Sequence, residues 1–117
     1  SALELGIDIG ALDVAVLGMG EDGHTASLFP GAENVSLALD AKRPALLAAI
    51  DPPHADHPRI SFTLRALLHA RHVVLLIQNP RKRTVYERAR DGADMSVLPI
   101  AGVLTQRDVN VEVFWSP

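Results

Sequence analysis

An α/β fold, with a mainly parallel sheet and helices layered on both of its faces, is predicted for this 117-residue chain by three features. Short aliphatic and β-branched runs alternate with stretches of helical patterning, as expected where helices join successive strands. Val73-Val74-Leu75-Leu76-Ile77 is apolar at every position, which suits a buried strand. Another such block, Val14-Ala15-Val16-Leu17, runs directly into a turn carrying Gly18, Gly20 and Gly23.

Length and composition bound the reading. The chain is one domain at most, near the small end for an enzyme. Its hydrophobic content of 48% and net charge of −3 are those of an ordinary soluble globular protein. The absence of cysteine excludes disulfides and thiolate metal sites and is compatible with a reducing compartment. No apolar run approaches a membrane span, and no basic segment followed by an apolar core marks a signal peptide. No Lys or Arg precedes Lys42, whereas Arg59, Arg65, Arg71, Arg81, Lys82, Arg83, Arg88 and Arg90 crowd the middle. A solvated helix face and surface loops account for most of these. A nucleic-acid surface would interleave such basicity with aromatics, which are only 4% of the chain.

Taken in order, Ser1 to Leu12 reads as a helix end plus a connection, without an initiator Met. Val14 to Leu17 is a short strand, and the glycines after it allow a sharp turn and close approach to a ligand. Thr25 to Phe29 is expected to start a helix that Pro30-Gly31 ends. A strand, a glycine turn and a helix N-terminus would together seat an anion or polar substrate. His24 lies on that turn and is the side chain suited to moving a proton near neutral pH. Gly18-Met19-Gly20-Glu21-Asp22-Gly23 also fits the dinucleotide pattern G-x-G-x-x-G. That reading is rejected, because Pro30 cuts the following helix short. Asp40, near the expected acidic position, follows the poorly strand-like Leu37-Ala38-Leu39.

Ala32 to Lys42 is a polar connection with some helical character. Ala45 to Ile50 is a candidate strand, broken by Asp51-Pro52-Pro53. His54-Ala55-Asp56-His57-Pro58 invites a metal reading. Flanking prolines give those ligands no fixed face, however, and no Cys or third His completes the set, so a solvated loop is expected. Arg59 to Thr63 alternates polar and apolar residues as a half-buried strand does. Leu64 to Ala70 is a short helix, and His72 to Ile77 the buried strand. Pro80 opens a helix through Arg90, with Val85 and Ala89 on one face, and Asp91-Gly92 ends it. Pro99 opens a last short helix through Leu104. Val109, Val111, Val113 and Trp115 then line one face of a closing strand.

The run Gly18 to Gly31, GMGEDGHTASLFPG, closely resembles the signature of 6-phosphogluconolactonases, within the glucosamine-6-phosphate isomerase/6-phosphogluconolactonase family. The related glucosamine-6-phosphate deaminases share its G-x-G-x-D-G-H core but continue with an I-A-F-N-E-P-type segment, unlike Thr25-Ala26-Ser27-Leu28-Phe29-Pro30. Pro58-Arg59-Ile60-Ser61-Phe62-Thr63 is similar to the family's P-x-R-I/L-T-L-T-type strand. Val73 to Ile77 followed by Lys82 looks like its strand, loop and lysine, and Leu98-Pro99-Ile100-Ala101 like its L-P segment. One departure stands out. The family often has Gly at the end of the strand before its Lys, where this chain has Gln78-Asn79-Pro80. The resemblance implies a Rossmann-like layered sheet and a cytoplasmic enzyme of the pentose phosphate pathway that hydrolyses 6-phosphogluconolactone. Family members are roughly twice as long, so residues 1–117 are expected to be the C-terminal portion of a single such domain. A glycine/serine-rich phosphate loop would belong to the missing N-terminal half.

Opening a lactone requires water to attack a carbonyl carbon and the ring oxygen to leave. One imidazole, His24, can take the proton from water and return it to the departing alkoxide. Asp22 could orient that ring or cap the helix expected after it. Gly18, Gly20 and Gly23 would shape the pocket floor, with backbone N–H groups near the developing oxyanion. Ser27 lacks a G-x-S-x-G elbow and is read as structural. For the substrate's phosphate, Arg59 is the first candidate, because it sits on a strand and can bind through two hydrogen bonds. Lys82 is second, and Arg81 and Arg83 are read as surface residues. This route requires no metal and no organic cofactor. The alternatives are a glucosamine-6-phosphate deaminase/isomerase relative and a truncated or degenerate sugar-phosphate-binding domain without activity.

Overall fold

The computed structural model describes residues 12–52 and 57–117. The connection expected over residues 1–11, and His54 and Asp56 of the loop weighed as a metal site, lie outside the described residues. The elements follow one another as β1 (Val14–Leu17), α1 (Val35–Ala38), β2 (Leu47–Ile50), β3 (Arg59–Phe62), α2 (Leu64–Leu68), β4 (His72–Gln78), α3 (Pro80–Arg90), α4 (Ala101–Leu104) and β5 (Asn110–Ser116).

Three strands form a parallel sheet in the order β1-β4-β5, and β2 pairs with β3 as a separate antiparallel hairpin. The α/β class and the mainly parallel sheet are those expected from the alternating pattern. Val16 stands beside Val74, and Leu75 beside Val113. Because side chains alternate across a strand, one register assigns every residue to a face. Ala15, Leu17, Val73, Leu75 and Ile77 fall on one side, where they form a single core with Val35 and Ala38 of α1, Leu64 and Leu67 of α2, Val85 and Ala89 of α3, and Ala101 and Val103 of α4. Val14, Val16, Leu76 and Phe114 point the other way and are exposed.

Local chemistry sets the helix starts. Thr63 Oγ1 accepts from the Ala66 amide at 3.2 Å and donates to the Ala45 carbonyl at 2.6 Å, so one hydroxyl caps α2 and ties it to the hairpin. Asn79 Oδ1 accepts from the Lys82 amide at 3.0 Å, and Pro80 occupies the first turn of α3, where its missing N–H leaves no bond unmade.

The helix expected over Thr25 to Phe29 does not form. Thr25 and Leu28 make an isolated antiparallel bridge, and Ala26 has φ 51°, outside the right-handed helical region. Competing hydrogen bonds explain the difference. The Thr25 hydroxyl donates to the Gly18 carbonyl at 2.9 Å, and the Ser27 amide goes to Ser61 Oγ at 3.0 Å. These tertiary bonds hold the segment as a turn in which Ala26 is left-handed, and a left-handed residue interrupts a right-handed helix. Asp22 therefore has no helix to cap.

Candidate functional site

Parallel strands leave a crevice beyond their carboxyl ends, and ligands of open α/β sheets bind there. Here β1 runs into the glycine turn and its neighbour β4 runs into α3. The turn's His24 and the first-turn Lys82 therefore meet at the same end of the sheet. A cleft of about 430 Å³ lies between them, lined by Gly18, Met19, Gly20, His24, Ala26 and Lys82.

The turn is closed by its own backbone. The Gly20 amide donates to the His24 carbonyl and the Gly23 amide to the Gly20 carbonyl, both at 3.0 Å. Within this loop Asp22 Oδ1 accepts twice, from the His24 amide at 3.0 Å and from its ring Nδ1 at 2.5 Å. A carboxylate can only accept, so Nδ1 is the donor, and in the neutral ring the lone pair lies on Nε2. Nε2 has no hydrogen-bond partner among the described residues. The His24 side chain is 31% exposed, sheltered yet reachable from solvent.

Gly20 makes this arrangement possible. A Cβ there would strike Cε1 and Nδ1 of His24 and come within 2.8 Å of Asp22 Oδ1. Gly23 has a different role. At φ 82° it adopts a conformation natural to glycine, and a Cβ would lie 2.7 Å from Leu98 Cδ2. Its carbonyl accepts from the Ile100 amide at 2.9 Å. Of the three glycines proposed for the pocket floor, Gly18 and Gly20 line the cleft, whereas Gly23 is buried against the Leu98-Pro99-Ile100 segment. The Gly20 and Gly23 amides are both spent on internal carbonyls, so neither is free to meet an oxyanion.

The cations divide in the same way. Lys82, second in the sequence ranking, lines the cleft itself. Arg59, ranked first, is exposed on β3 and lies over the ring of Phe29 at 5.3 Å. Phe29 in turn packs on the His24 ring, centroids 4.4 Å apart and planes tilted by 35°. Arg83 is held at the surface by Glu87 at 3.1 Å and by the ring of Trp115 at 4.6 Å. Arg81 is exposed.

Asn79 has φ 67° and ψ 158°, a conformation close to glycine-only. Sequence reasoning missed Phe29, which it took as a helical residue, and the Leu98-Pro99-Ile100 buttress under the turn. Both lay within quoted motifs, but neither carries ionisable chemistry that would have drawn notice.

Comparison with known proteins places the fold and the family. Residues 2–115 match the family model described as glucosamine-6-phosphate isomerases/6-phosphogluconolactonase. The 6-phosphogluconolactonase of Neisseria meningitidis serogroup A is 42% identical over 104 residues, which are 89% of this chain and 45% of that protein. That of Rhizobium meliloti is 38% identical over 106 residues, 91% of this chain and 46% of its own length. The crystal structure of a 6-phosphogluconolactonase from Shewanella baltica superposes with a TM-score of 0.89 at 39% identity, covering 99% of this chain and 49% of that one. The chain thus spans about half the length of the relatives it matches. It belongs to the glucosamine-6-phosphate isomerase/6-phosphogluconolactonase family.

Proposed function

We propose that this chain carries the proton-transfer half of a lactonase site that hydrolyses 6-phospho-D-glucono-1,5-lactone to 6-phosphogluconate in the cytoplasmic pentose phosphate pathway. The observation that carries the reading is the Asp22–His24 pair at the mouth of a cleft shared with Lys82. With Nδ1 engaged by Asp22, Nε2 takes a proton from water as its oxygen attacks the lactone carbonyl. The tetrahedral intermediate then collapses, the bond to the ring oxygen breaks, and the imidazolium returns its proton to that oxygen. Asp22 holds the tautomer and stabilises the transient cation. Lys82 inside the cleft and Arg59 beyond Phe29 offer positive charge to the phosphate, while Gly18 and Gly20 let the sugar approach the backbone.

We further propose that residues 1–117 are the C-terminal portion of a single domain, and that the polypeptide matching the rest of the relatives completes the pocket. The 45% share of the Neisseria protein supports this. In the complete protein, His24→Gln should lower lactone hydrolysis by about 100- to 10,000-fold, the usual size of general acid–base catalysis. Binding of 6-phosphogluconate, measured by calorimetry, should persist. Unchanged turnover above the spontaneous background would refute the base assignment, and release of ammonia from glucosamine 6-phosphate would favour the deaminase alternative.

A further inference from the structure

We propose that Phe29 is a positioning residue that fixes the imidazole of His24 and the guanidinium of Arg59 relative to each other. This rests on the lactone-hydrolysis reading for its consequence, though not for its geometry. Asp22 grips the imidazole at one nitrogen only, and a single hydrogen bond does not by itself fix the ring's rotation about its Cβ–Cγ bond. Gly20 leaves space there rather than filling it. What restrains the swing is the ring of Phe29, 4.4 Å away and inclined by 35°. Aromatic pairs at such spacing favour a limited set of orientations.

Phe29 is itself well anchored. Its neighbour Leu28 is fully buried, and its own carbonyl accepts from the Ala32 amide at 3.2 Å. Two residues earlier, the Ser27 amide bonds to Ser61 Oγ, and that buried hydroxyl donates to the Phe62 carbonyl at 2.9 Å. Ser61 and Arg59 are two apart on β3 and so share a face. The segment 27–29 and the strand 59–61 are therefore docked at two points, Ser27 to Ser61 and Phe29 to Arg59. The guanidinium over Phe29 and the imidazole beside it are referred to one rigid ring. A substrate whose anionic end meets Arg59 would then present its carbonyl to Nε2 at a set distance.

The test compares Phe29→Leu, which keeps apolar bulk without a ring, with Phe29→Tyr, which keeps the ring. In ¹⁵N–¹H spectra of the histidine side chains, Phe29→Leu should move and broaden the His24 Hε1 resonance as the ring samples other orientations, while Phe29→Tyr leaves it as in the parent. In lactone turnover, Phe29→Leu should lower kcat by roughly 2- to 10-fold, the worth of one aromatic pair. It should raise KM by about 2- to 5-fold, the worth of one exposed cation–π contact. Phe29→Tyr should restore both. If Phe29→Leu does not fold, Phe29→Met carries the same comparison. An unmoved His24 resonance in the ring-less variant, or a tyrosine that fails to rescue, overturns the proposal. The spectra need no turnover. A His24 that responds in a protein without lactonase activity would keep the positioning role and remove the lactone reading.

Discussion

A methyl group on Gly20 would occupy volume that the imidazole of His24 and the Asp22 carboxylate now fill. The backbone itself would tolerate the change, since Gly20 is not among the positive-φ glycines. This separates site geometry from folding. Gly20→Ala should lower kcat by about 100-fold, as a displacement near 1 Å at a reacting group does. Its melting temperature should stay within a few degrees of the parent, read by calorimetry. A Gly20→Ala protein with full activity would show that the imidazole does not need its present seat. His24 and Asp22 were legible as chemistry because their residue types announce it. Their contact was not, because adjacency in sequence does not fix where two side chains point.

At the scale of the element, the start of α3 and the loop before α4 decide how the site is presented. Asn79 caps α3 by its side chain while holding a backbone conformation that costs a non-glycine residue about 1–3 kcal/mol. Glycine there loses only a few tenths of a kcal/mol of capping. Asn79→Gly is therefore expected to raise the melting temperature, whereas Asn79→Ala, which loses the cap and keeps the strain, should lower it. Equal effects of the two would contradict this account. In the loop, Asp94 Oδ1 accepts from the Ser96 amide at 2.8 Å, and the Asp94 carbonyl accepts from the Val97 and Leu98 amides at 2.9 Å. This turn delivers Leu98 beneath Gly23. The amide of Ser96 holds the Asp94 carboxyl below its ordinary value of 3.8. A carboxylate lowered in the native state adds stability above its unfolded value, and loses it as pH falls through the native value. The stability gap between the parent and Asp94→Ala should thus be constant near neutrality and close on acidification below pH 3.8. Denaturant melts across that range would measure it.

On the scale of the whole molecule, the sheet has, among the described residues, one covered face and one open face. Val14 at 51%, Val16 at 61%, Leu76 at 48% and Phe114 at 54% exposure share the open side. Parallel sheets are ordinarily covered on both faces. On the proposal that further polypeptide completes the domain, this face is the surface on which it would rest. The chain by itself should bind a hydrophobic dye and self-associate in sedimentation velocity, and joint substitution of Val16→Lys and Leu76→Lys should reduce both. A monodisperse, dye-silent parent chain would count against it.

Sequence alone determined the α/β class, the approximate places of strands β1 to β5, the helix α3 opened by Pro80, and the choice of His24 and Asp22 as candidates for proton transfer. Each is written in local periodicity, in glycine and proline placement, or in ionisable residue types within a few positions of one another. Only the tertiary structure decided that Thr25 to Phe29 is a bridged turn, that Lys82 rather than Arg59 lines the cleft, and that Phe29 joins Arg59 to His24. Those outcomes depend on contacts between residues far apart in the chain, Ser27 with Ser61 and Phe29 with Arg59. A hydrogen bond or ring contact made across such a distance can overrule local propensity, and nothing within a short window of sequence records it.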